Sequence, residues 1–145
     1  MAEGDYRLAA QRLVYAREAE PGNVAVLRQM TLAFWHAGDL EAAARSVRDW
    51  ARVEDGRPAA HRFAARIYED IGAIELAEEA AERAALRGPA DAGAWERLGR
   101  LRIRMLDREG ALEALERALR LSVSDELHEL LAQALAMEPR AAHAA

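Results

Sequence analysis

Cysteine is absent from the 145 residues, which excludes disulfides, thiolate nucleophiles and cysteine-ligated metal. Lysine is absent too, so every permanent side-chain cation is an arginine. Arginine favours forked pairing with carboxylates, within the protein or on a partner. Prolines number four and aromatics make up 6%; β-branched residues are sparse as well, which argues against sheet and for an all-helical chain. No run approaches the roughly 18 apolar residues of a membrane-spanning helix. The opening Met1-Ala2-Glu3-Gly4-Asp5 lacks a basic segment followed by an apolar one, so no signal peptide is expected and the expected location is cytoplasmic. Positive charge is not in excess: the net charge of −5 gives the chain as a whole no attraction to nucleic acid or an anionic membrane.

Catalytic and metal-binding patterns are missing too. His36, His61, His128 and His143 form no zinc-binding helical pair. There is no glycine-rich phosphate loop, and Ser46, Ser122 and Ser124 lack the context of a nucleophile elbow. The expectation is a non-enzymatic chain with no cofactor, no metal and no catalytic residue.

What is present is a soluble, globular composition, 52% hydrophobic and 31% charged, of a length that suits one domain. Alanine dominates the apolar share, which lets helices approach closely. A repeat organises it. Gly4, Gly38 and Gly72 fall 34 residues apart, with Leu106 at the next place. Ala9, Ala43, Ala77 and Ala111 keep the same interval, as do Ala16, Trp50, Ala84 and Ala118. Pro21 and Pro89 end two units, with Asp55 and Val123 at the matching places. Gly38 and Gly72 suit helix stops that need a left-handed residue. Asp39 and Asp107 suit N-caps, and Pro58 a first helical turn. A second pattern lies on the first helix of each unit: Leu27, Met30, Thr31, Phe34; His61, Ala64, Ala65, Tyr68; Trp95, Leu98, Gly99, Arg102. Such spacing marks one helix face. Leu127, Leu130, Leu131 and Ala134 repeat it two residues early, which implies a shorter connection near Ser122 to Ser124.

These residues resemble the tetratricopeptide repeat, whose pattern is Trp/Leu, Leu, Gly/Ala, Tyr, then Gly, Ala, Phe, Ala and Pro. The strongest single match is Trp95-Glu96-Arg97-Leu98-Gly99, and the resemblance spans roughly residues 4 to 137. It departs from the pattern at Trp50, Arg102 and Leu106. The resemblance implies an all-α fold, a right-handed superhelical solenoid of antiparallel helix pairs. About eight helices are expected, near 5–19, 24–37, 40–54, 58–71, 74–87, 92–106, 108–121 and 125–137. Residues 1–138 then form one domain: a half repeat at 4–23, full repeats at 24–57, 58–91 and 92–123, and a capping helix at 125–137. A flexible tail follows at 139–145.

In such a superhelix the first helices line a concave groove, and the resemblance implies that a partner protein lies there. The positions facing it include Arg28, Leu32, Trp35, Arg62, Arg66, Glu69, Arg100, Ile103 and Arg104. This points to an acidic or amphipathic peptide segment or helix, since arginine grips a carboxylate with two parallel bonds and an aromatic anchors. Against this stands local pairing: Glu96 with Arg100, and Arg66 with Asp70, are spaced for helical ion pairs. The family's clamp for chaperone C-termini uses lysine, asparagine, asparagine, lysine and arginine. Its positions here hold Arg28, Leu32, Phe63, Gly93 and Arg97, so that clamp is not expected. Glu75, Glu78, Glu79, Glu82, Glu109, Glu113 and Glu116 read as a solvated outer face.

The first helix has no preceding partner in the sequence, so one side of it, with Leu8 and Leu13, is left to be covered. A longer protein, a second copy of the chain, or the polarity of Arg7, Gln11 and Arg17 would each meet that need. The alternative to an adaptor that holds a peptide is therefore a self-assembling unit, a homodimer through this face.

Overall fold

A computed structural model describes residues 3–139, and among these residues the chain forms eight α-helices and no strand. They are α1 (Glu3–Ala19), α2 (Val24–His36), α3 (Leu40–Val53), α4 (Pro58–Ile71), α5 (Ile74–Arg87), α6 (Ala92–Arg104), α7 (Arg108–Leu121) and α8 (Asp125–Ala136). The ends fall within two residues of those expected. From residue 140 on, the expected tail lies outside the described residues.

Local chemistry sets the helix ends. Asn23, Asp39, Asp91, Asp107 and Ser124 each accept a backbone N–H of the following first turn, which satisfies donors that have no partner inside the helix. Pro58 opens α4, where its missing N–H costs nothing. Gly38 and Gly72 take φ of 78° and 86° just past α2 and α4. Leu106 takes φ 60° at the same place after α6. The stop is thus a property of the repeat position, and a leucine is forced into a conformation that glycine adopts freely.

Each helix packs chiefly on its neighbours in sequence, as short connections between antiparallel helices require. Ala43, Ala77 and Ala111 are fully buried where paired helices meet. Gly99 completes one such contact: a Cβ there would come 2.6 Å from Leu115 Cγ and Cδ2. Trp50, at a place where the neighbouring units hold alanine, is buried against Phe63, with its indole N–H donated to Glu54 at 2.8 Å. His61 is buried, and its Nε2 lies 3.0 Å from the Asp55 carbonyl. From α7 to α8 the chain runs extended through Ser122 and Ser124, the short connection expected from the early last helix.

Arg102, at an aromatic position, has its own solution. Its Nε donates to Glu78 at 2.9 Å, one terminal nitrogen lies 3.4 Å from Glu82, and the other donates to the Gly110 carbonyl at 3.2 Å. Two of the glutamates expected to form a solvated outer face are therefore spent on Arg102, which ties α5 to α7. Glu75, Glu79, Glu109, Glu113 and Glu116 are exposed as expected.

Candidate functional site

α2, α4 and α6 form one layer, and between α4 and α6 lies a cleft of about 380 Å³ floored by Ala81 and Ala84 of α5. Arg62, Phe63 and Arg66 border it from α4, and Gly93 and Arg97 from α6. Gly93 presents no side chain, which keeps that edge low. Three guanidiniums thus reach one cleft, with Asp91 as the carboxylate on its border.

Two of these arginines are engaged and one is differently placed. Arg62 lies 3.5 Å from Asp91, and Arg97 donates to Glu69 at 2.9 Å. Arg66 lies over the indole of Trp35, 4.6 Å from the ring centroid. The helical pair expected between Arg66 and Asp70 does not form, because Asp70 instead accepts the Trp35 indole N–H at 2.9 Å. Trp35 also meets Phe63 edge-on at 5.9 Å and stacks on His36, which in turn stacks on Tyr6. The indole is therefore fixed on several sides, and it holds the Arg66 guanidinium by its flat face, with no ion pair from that guanidinium to a carboxylate among the described residues.

The remaining expected positions divide. Arg28 and Arg104 are exposed. Leu32 and Ile103 are half-buried, with Ile103 packed on the core. Arg100 pairs with Glu96 at 2.8 Å, as the spacing on α6 foretold. Of the expected groove residues, Arg62 and Arg66 line the cleft itself. Phe63 and Arg97 line it too, although the sequence pattern connected them with the chaperone clamp alone. They stand 34 residues apart, and that equivalence was the signal available for them. On α1, Leu8 is 49% and Tyr15 74% exposed, while Leu13 is half-buried. Arg7 and Gln11 border a hollow shared with Phe34 of α2 and the α2–α3 turn, and Arg17 reaches Asp49 of α3 at 3.6 Å. Arg7 and Gln11 are exposed at the edge of that hollow, and Leu8, Arg12 and Tyr15 are exposed away from it.

Among the described residues no group of three or more metal-ligating side chains converges, and no helix is long and apolar enough to cross a membrane.

Paired helices with a 34-residue phase and a groove lined by first helices are the geometry of one repeat family. Residues 1–67 match the tetratricopeptide repeat model. That stretch carries tetratricopeptide repeats. Solved tetratricopeptide-type structures superimpose over 77–91% of the chain's length. MamA does so with a TM-score of 0.73 and 20% identity, over 91% of this chain and 88% of that one. YrrB, described as a tetratricopeptide repeat protein with an unusual peptide-binding site, gives 0.71 and 20%, over 88% and 66%. The first repeat domain of Spaghetti (RPAP3), bound to the HSP90 peptide SRMEEVD, gives 0.67 and 19%, over 77% and 90%. No curated protein sequence matches. The tetratricopeptide fold of the whole chain, a superhelical solenoid, follows from these likenesses together with the eight helices.

Proposed function

We propose that this tetratricopeptide chain is a non-enzymatic binding module that holds an acidic or amphipathic segment of a partner protein in its concave groove. The observation that carries this reading is the α4–α6 cleft, where Arg62, Arg66 and Arg97 converge and Arg66 is braced on Trp35. A braced guanidinium loses little freedom on binding, and its forked N–H edge matches a carboxylate. The peptide bound to the RPAP3 domain and the peptide-binding site described for YrrB support a peptide as the class of ligand. The chaperone clamp is not the mode here, since Leu32, Phe63 and Gly93 stand at its polar positions.

The test is capture from native lysate and direct titration with a labelled acidic peptide, using wild type and the Arg62→Glu/Arg66→Glu variant. Capture and groove binding should be lost in the variant. Unchanged capture would mean that the groove is misplaced.

A second reading is favoured by the exposed Leu8 and Tyr15 on α1: self-association through that face. Sedimentation of wild type and Leu8→Glu/Tyr15→Glu separates the two. A concentration-dependent dimer broken by the variant supports self-assembly, and a monomer at all concentrations rejects it.

A further inference from the structure

The opposite side of the molecule carries a second cleft, between α3 and α5. Two adjoining hollows of about 670 Å³ and about 260 Å³ make it up, and Arg48, Tyr68 and Leu76 border both. Arg45, Arg48 and Arg52 follow one another along α3 at i, i+3 and i+7, and Arg83 lies across from them on α5. All four are exposed, and none has an ion-pair partner among the described residues. The carboxylates on the border are Glu41, Asp55 and Glu79, and Asp55 is already held by Arg87 at 3.0 Å. In a chain of net charge −5 this cleft is locally cationic.

The next cleft along the outer layer shows what closes such a space. There Arg102, 34 residues after Tyr68, is bonded to Glu78 and Glu82 of α5 and to the Gly110 carbonyl of α7. The residues of α3 that stand 34 positions before Glu78 and Glu82 are Ala44 and Arg48. Where α5 supplies two carboxylates, α3 supplies a methyl group and a guanidinium. Tyr68 makes no bridging hydrogen bond among the described residues. The α3–α5 cleft thus stays open, with uncompensated charge along one wall. At the end near Tyr68 it has an apolar lip, with Ile71 43% and Leu76 48% exposed.

We propose that this outer cleft is a second binding site, for an acidic peptide segment that carries an apolar side chain. Its carboxylates meet Arg45, Arg48, Arg52 and Arg83, and its apolar side chain lies on Ile71 and Leu76. Glu41 and Glu79 on the border oppose the uniform charge of a nucleic-acid backbone, and the lip offers a phosphate chain nothing. A peptide that alternates carboxylates with a leucine satisfies both ends.

The experiment uses a fluorescein-labelled peptide of four glutamates flanking one leucine. It is titrated into wild type, Arg62→Glu/Arg66→Glu, Arg48→Glu/Arg83→Glu and the combined variant. With the concave groove disabled by Arg62→Glu/Arg66→Glu, binding should persist. Adding Arg48→Glu/Arg83→Glu should then weaken it at least about tenfold, the scale of two exposed charge contacts reversed. No binding in the Arg62→Glu/Arg66→Glu protein, or residual binding indifferent to Arg48 and Arg83, overturns the second site without touching the first. Amide chemical shifts of the unmodified chain give a check that needs no variant. The peptide should move Ala51, Tyr68 and Leu76, and perturbation confined to α2 and α6 overturns the proposal. Tighter binding of a short oligonucleotide than of the peptide would reject the peptide assignment.

Discussion

Arg102 and Glu78 face each other at 2.9 Å with side chains only 12% and 16% exposed, so an ion pair occupies a place where the repeat pattern has an aromatic ring. A largely buried pair is sensitive to loss of one member, because the survivor keeps its desolvation cost without its partner. Glu78→Ala should lower unfolding free energy by about 1–3 kcal/mol. Arg102→Tyr, which restores the aromatic of the repeat pattern, should cost less. Urea denaturation of the two single variants and Glu78→Ala/Arg102→Tyr closes a cycle. A coupling energy near zero would show that the pair contributes nothing.

Gly99 sits against Leu115 with no room for a methyl group. Alanine usually gains about 1 kcal/mol over glycine inside a helix, yet here the added Cβ meets a leucine that is itself fully buried. Overpacking of this kind costs about 1–3 kcal/mol. Gly99→Ala should therefore destabilise by thermal or chemical unfolding. In a Leu115→Ala background, where the space is vacated, the same substitution should become neutral or stabilising.

The fold was legible because a 34-residue phase repeats positions, and positions carry geometry. Leu106 shows how far this reaches: the residue is wrong for a stop, yet the backbone still turns left-handed there as at Gly38 and Gly72. The site was legible only in outline. Spacing along α4 offered Asp70 as a partner of Arg66, but spacing on one helix cannot weigh a donor on the next. The Trp35 indole N–H won Asp70, and Arg66 took the ring face instead. The outer cleft was hidden for a related reason. Its opening depends on what α3, α4 and α5 place opposite one another, and the same repeat position is filled by Tyr68 in one unit and by a bonded Arg102 in the next.

Leu106 is 76% exposed, so it gives up little packing if replaced. Its left-handed φ of 60° costs a non-glycine residue roughly 1–2 kcal/mol, partly offset by the roughly 0.5–1 kcal/mol of extra unfolded-state freedom that glycine brings. Leu106→Gly should raise stability by about 0.5–1 kcal/mol, and Gly72→Ala at the equivalent place should lower it. If Leu106→Gly destabilises, the leucine makes a contact that its exposure does not suggest.

Asp55 gives the chain a small acid sensitivity. The hydrogen bond from Arg87 holds its carboxyl below the ordinary value, with the charges of Arg87, His61 and Arg83 acting in the same direction and burial opposing them. A folded pKa below the unfolded one means that the stabilisation is present above the unfolded value and is lost as pH falls through the folded one. Wild type should thus exceed Asp55→Asn in urea stability at neutral pH, and the gap should close in acid. A gap that widens on acidification would contradict the sign.

Trp35 offers the sharpest separation between scaffold and binding surface. Trp35→Phe keeps a ring beneath Arg66 and beside Phe63, but it removes the N–H that Asp70 accepts. Asp70 is exposed, so water replaces the lost donor and stability should change by less than about 1 kcal/mol. Binding should change more. The released carboxylate lies one helical turn from Arg66, at the spacing of a favourable ion pair, and would turn the guanidinium away from the cleft. Titration of the acidic peptide should therefore show weaker groove binding in Trp35→Phe, with helicity and melting temperature nearly unchanged. Trp35→Phe/Asp70→Asn should recover most of the loss, because the competing charge is gone. Failure of that rescue would show that the indole, and not the freedom of Arg66 from Asp70, is what the ligand reads.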